Sequence, residues 1–108
     1  MSVWADATSL RILVSDDDIH EGRPLYEAII ASAREAGLGG ACVLRGIAGY
    51  GRSTHIHEIW RGFSFDLPIV VEIVDSDAKI EAWLPALDRM RSGALVIRDH
   101  VQVLQPHR

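Results

Sequence analysis

Pro68-Ile69-Val70-Val71-Glu72-Ile73-Val74-Asp75 is the stretch on which the fold turns. Apart from Glu72, its interior is apolar on both faces of an extended chain. That pattern marks a central strand covered on both sides. Two helices can cover only one face of a four-stranded antiparallel sheet. The other face needs a partner, and a second copy of the chain is the simplest one.

Downstream, Ser76 is a good N-cap and Asp77 suits the positive first turn of a helix. Ile80, Trp83, Leu84 and Leu87 mark its buried face. Pro85 lies inside this pattern and predicts a kink or a split into two short helices. Gly93 ends the helix, and a fourth strand follows over 94–104. There Leu95, Ile97, Val101 and Val103 share a face that Asp99 interrupts, which predicts a bulge or an edge position. Upstream, alternation over 10–15 predicts a first strand. Asp16, Asp17 and Asp18 end it with turn chemistry. A helix is expected over 23–36, with Pro24 at its first position and Gly37 as its stop. A second strand over 41–47 runs into a glycine-rich bend, and 52–66 reads as an excursion. The order is β-α-β-β-α-β: an α+β, ferredoxin-like fold with a four-stranded antiparallel sheet and two helices on one face. A single domain over 1–108 is expected, with its core at about 10–104 and loose tails at 1–9 and 105–108.

Composition narrows the function classes. Hydrophobic residues make up 48% of 108, enough for a core rather than disorder. The net charge is −4, from 11 basic and 15 acidic residues, which argues against a nucleic-acid binder. The single cysteine, Cys42, leaves no internal disulfide and fits a reducing compartment. It reads as a core thiol. The first nine residues lack a basic start and an apolar run, so no signal peptide is expected. No apolar stretch is long enough to insert in a membrane. The expected location is cytoplasmic.

The densest cluster of chemistry is Arg45-Gly46-Ile47-Ala48-Gly49-Tyr50-Gly51-Arg52-Ser53. Glycines allow backbone N–H groups close to an anion, and arginines pair with phosphate oxygens. The plainer reading is a sharp bend at a strand end. Gly46, Gly51, Arg52 and Ser53 approach the phosphate-loop pattern of nucleoside triphosphatases. That pattern needs a parallel sheet and a helix start, neither of which is read here. Asp16, Asp18, His20 and Glu27 approach a calcium-loop spacing, but Glu21 stands where its turn glycine belongs. His55 and His57 fall on one side of an extended segment and are candidate metal ligands. Glu72 reads as an interface carboxylate paired with Arg11 or Arg98.

Four blocks carry a family resemblance: Glu21-Gly22-Arg23-Pro24-Leu25-Tyr26-Glu27-Ala28, the run from Gly40 to Gly51, the strand from Asp66 to Asp75, and Lys79-Ile80-Glu81-Ala82-Trp83-Leu84-Pro85. Together they resemble the family labelled "domain of unknown function 190", grouped with the nitrogen-regulatory PII-like proteins. The resemblance implies a homotrimer of ferredoxin-like subunits with a regulatory rather than catalytic role. It implies a small effector, often an adenine nucleotide, in clefts between subunits. It also implies that a long loop engages a transporter, channel or enzyme. Tyr50, Ile56, Trp60 and Phe63 fall in that target-binding loop. Arg45, Gly46, Gly49, Gly51 and Arg52 fall at its base, where a phosphate lies in PII relatives. Arg89, Arg91 and Gly93 stand where the turn after the second helix approaches from a neighbour. The alternative reading is a metal-binding trimer using His55 and His57.

Overall fold

The computed structural model describes residues 3–47, 68–90 and 93–105. Its elements are β1 (Trp4–Ser15), β2 (Ile19–His20), β3 (Arg23–Pro24), α1 (Leu25–Glu35), β4 (Gly40–Arg45), β5 (Pro68–Asp75), α2 (Asp77–Met90) and β6 (Leu95–Leu104). The main sheet has the order β4-β5-β1-β6, with every neighbouring pair antiparallel. This is the expected ferredoxin-like topology, and β5 is central as its two apolar faces require.

Pairing across β1 and β5 builds the floor of the core. Leu10 lies opposite Ile73, Ile12 opposite Val71, and Val14 opposite Ile69. All six are buried and meet Leu25, Ile29 and Ala33 of α1 and Ile80, Trp83 and Leu87 of α2. Burying each large apolar side chain stabilises the fold by about 1.5–3 kcal/mol. The two helices are also pinned to each other, because the Trp83 indole N–H donates to Ser32 Oγ at 3.0 Å. α1 ends as Gly37 predicts. Gly37 adopts φ 77°, its N–H donates to Arg34 O, and the Leu38 N–H donates to Ala33 O. This is a Schellman closure, with partly buried Leu38 packed on the core behind it.

Several local expectations are corrected. The tail expected to be loose over 1–9 is a strand from Trp4 onward. β6 pairs with β1 over its whole length, from Trp4 opposite Leu104 to Leu13 opposite Leu95. Polar side chains concealed it: Thr8 is fully buried because its hydroxyl donates to Asp77 Oδ1 at the start of α2. At the other end the Gln105 N–H donates to Val3 O at 2.8 Å. Asp99 makes no bulge, since the register is continuous, and β6 is an edge strand. Pro24 sits at the N-cap of α1 rather than inside it, because Arg23 and Pro24 pair with Ile19 and His20. Glu21 and Gly22 turn this small hairpin, both with positive φ. α2 runs as one helix with Pro85 inside it. Pro85 and Glu81 are both exposed, so the carbonyl freed at Glu81 faces water while Ile80, Trp83 and Leu87 anchor the buried side.

The sheet face away from the helices carries ordered rows. Leu44, Val70, Leu13 and Leu95 form one row across the four strands, and Cys42, Glu72, Arg11 and Ile97 the next. Cys42 is therefore exposed, not a core thiol: β4 is an edge strand, and Cys42 shares the open face with Glu72. Glu72 pairs with Arg11 at 3.5 Å, and Arg11 also reaches Asp99 at 3.3 Å. Arg98 pairs with Glu81 instead.

Candidate functional site

Antiparallel order gathers several segments at one end of the sheet. β1 and β4 finish there, β5 and β6 begin there, α1 starts there and α2 ends there. The base of the 46–67 connection, the acidic turn after β1 and the turn before β6 therefore share one rim.

At the β4 corner, Arg45 Nη1 lies 2.8 Å from Asp16 Oδ2. The guanidinium is about half-exposed, whereas the Asp16 side chain is 13% exposed. The turn that presents Asp16 is tightly bonded. Ser15, fully buried, donates its N–H to Asp18 Oδ2 at 2.9 Å and its hydroxyl to Asp17 Oδ1 at 2.5 Å. The Asp18 N–H donates to Ser15 O at 3.1 Å, and Asp18 O accepts from the first helical N–H, Leu25, at 2.7 Å. Asp17 and Asp18 are thus used within the turn, and Asp16 is the carboxylate aimed at Arg45.

Gly46 has its own local reason to be glycine. Its N–H donates to Pro68 O at 2.7 Å, and an added Cβ would lie 2.8 Å from Pro68 Cγ. The chain is pinched there as it leaves β4 and enters β5. The opposite corner, beside β6, holds Gly93 with φ 85°. Arg89 belongs to the last turn of α2 and lines a hollow between the helices with Ser32, Glu35 and Trp83. Arg45 and Gly46 are thus brought together, and Gly93 and Arg89 are not with them. Edge strands β4 and β6 are separated by three strand spacings, about 14 Å. Gly49, Tyr50, Gly51, Arg52, His55, Ile56, His57, Trp60, Phe63 and Arg91 lie outside the described residues. Among the described residues no group of three His, Cys, Asp or Glu side chains is placed to hold a metal ion. No described helix is long and apolar enough to cross a membrane.

A wider hollow of about 760 Å³ lies between α2 and β6, lined by Leu84, Pro85, Leu87 and Leu95. Its charged lining is Glu81 and Asp88. Its lining offers a phosphate no cation, whereas the β4 corner offers Arg45, so the chemistry favours the corner. Sequence reasoning missed Asp16 as a partner of Arg45. Its signal was the Asp16-Asp17-Asp18 run, which accounts for a turn without saying which carboxylate faces outward.

Fold and rim together define the class: an α+β, ferredoxin-like chain. The apo form of CPII from Thiomonas intermedia K12, a nitrogen regulatory PII-like protein, superposes with a TM-score of 0.67. It shares 14% identity, over 98% of this chain and 100% of that one. CPII bound to ADP, AMP and acetate gives 0.65 at 14% identity, covering 94% and 91%. Residues 7–103 match the profile of DUF190, described as uncharacterized ACR, COG1993, and the chain belongs to that family. A UPF0166 protein of Aquifex aeolicus is 40% identical over 83% of this chain and 87% of its own length. A UPF0166 protein of Methanocaldococcus jannaschii is 34% identical over 86% and 88%.

Proposed function

We propose that this chain is a homotrimeric PII-like regulator. It binds an adenine nucleotide between subunits, with the phosphates at Arg45, and acts on a target protein through its 50–66 segment. The observation that carries this reading is the exposed guanidinium of Arg45 at the end of edge strand β4, beside the pinch at Gly46 and Pro68. The turn at Gly93 lies at the opposite edge of the same rim. In a closed ring of copies, one edge of each subunit meets the other edge of the next. That juxtaposition brings the Arg45 corner of one copy toward the Gly93 turn of its neighbour. CPII, with the same fold, has been crystallised with ADP and AMP, which supports the ligand class. The role is regulatory: the nucleotide is sensed, not turned over.

Titration calorimetry of the wild-type chain with ATP, ADP and AMP tests the ligand class. At least one is expected to bind saturably, and Arg45→Gln to weaken it about 10-fold, the scale of one charge-assisted hydrogen bond. Flat heats for all three, or equal affinity in the Arg45→Gln variant, would remove the reading. Sedimentation equilibrium tests the assembly, with the mass of three chains expected.

A further inference from the structure

We propose that Asp16 is a specificity-determining residue of the Arg45 site. It is a resident counter-ion that competes with the effector's phosphates and flattens the preference for more highly phosphorylated nucleotides. This inference rests on the phosphate reading of Arg45.

Three observations carry it. Asp16 holds Arg45 at 2.8 Å, so the cation that would meet a phosphate is already partly neutralised. The turn that presents the carboxylate is fixed by hydrogen bonds from Ser15, Asp17, Asp18 and Leu25, so the backbone keeps Asp16 beside Arg45. Its second oxygen, Oδ1, is buried and has no hydrogen-bond partner among the described residues. A carboxylate serving only to anchor Arg45 would be best satisfied by a two-pronged pair, with both oxygens bonded. Here one oxygen is engaged and the other is buried, where charge is poorly screened.

The consequence depends on ligand charge. An anion on the exposed side of Arg45 feels attraction from the guanidinium and repulsion from the fixed carboxylate behind it. Both scale with the charge of the ligand. Asp16 therefore costs a triphosphate more affinity than a monophosphate, and costs an uncharged nucleoside nothing. A site with Arg45 alone would favour ATP steeply over AMP. With Asp16 in place the two come closer, so the ATP-to-AMP ratio at which the site changes occupant moves toward equal concentrations.

The test is calorimetry at low ionic strength with ATP, ADP, AMP and adenosine, on wild type, Asp16→Asn and Arg45→Gln. Asp16→Asn is expected to tighten ATP about 4-fold and AMP about 2-fold, leaving adenosine unchanged, as charge scaling requires. Unchanged or weaker nucleotide binding would make Asp16 a mere anchor of Arg45 and overturn the proposal. So would an equal gain for adenosine. If wild type binds and Arg45→Gln does not, a failure of Asp16→Asn to tighten defeats this inference alone. If no variant binds any nucleotide, the functional reading fails with it. Should Asp16→Asn not fold, Asp16→Ser removes the same charge and is read by the same outcomes.

Discussion

Gly46 shows how one residue type answers to two different demands. In the sequence it belongs to a glycine-rich bend suited to an approaching phosphate. In the structure it is held by Pro68, which accepts its N–H at 2.7 Å and leaves no room for a side chain. A Cβ would stand 2.8 Å from Pro68 Cγ and 3.2 Å from Pro68 O. The proline ring is stiff, and the carbonyl is tied to the same glycine, so neither retreats without breaking the pinch. Gly46→Ala is therefore expected to destabilise the fold by about 1–3 kcal/mol, the range for overpacking. Urea unfolding measures it; a midpoint equal to wild type would show that the pinch relaxes freely. Nucleotide affinity is a separate readout, because Arg45 rather than Gly46 carries the charge. Asp16 was illegible for a related reason. Three consecutive aspartates announce a turn, but only the folded chain assigns two of them to the turn and one to Arg45.

Among the elements, strong periodicity was read correctly and weak or polar pattern was not. β5, the α1 seam at Leu25 and Ile29, and the α2 face at Ile80, Trp83 and Leu87 stood where their apolar spacing put them. The first half of β1 was missed because Asp6, Thr8 and Ser9 break the alternation, while β6 and Asp77 supply the partners that make it a strand. The hairpin at Glu21 and Gly22 was missed because Glu-Gly lacks the usual asparagine or aspartate turn signal. Of the two outcomes expected at Pro85, the split into two helices is not realised. A proline inside a helix is costly, yet α2 stays one helix because its breach lies on the water side. Pro85→Ala should restore the missing N–H donor and raise stability by about 1–3 kcal/mol. Chemical denaturation checks this, and an unchanged midpoint would mean that water already satisfies the Glu81 carbonyl at little cost.

At the scale of the whole molecule, the two-sided strand β5 poses the remaining question: what covers the second face. The helices bury Ile69, Val71 and Ile73, but Val70 and Val74 stay only partly buried on the other side. There Leu44, Val70, Leu13 and Leu95 run edge to edge, with Leu44 at 55% exposure. The next row brings charge: Arg11 is shared between Glu72 and Asp99, so one cation serves two carboxylates. An apolar row with so exposed an edge suits burial against identical copies better than open water. The proposed trimer gives that face its cover, and Leu44 separates assembly from folding. Leu44 lies on an edge strand outside the core cluster, so a charge there leaves the subunit's own packing alone. Leu44→Asp is expected to keep a wild-type far-ultraviolet circular dichroism spectrum while shifting the sedimentation mass toward a single chain. Nucleotide binding should fall with it, since the proposed cleft needs two subunits. If Leu44→Asp sediments as wild type does, the open face is no part of the contact, and the meeting strand edges alone would hold the copies together.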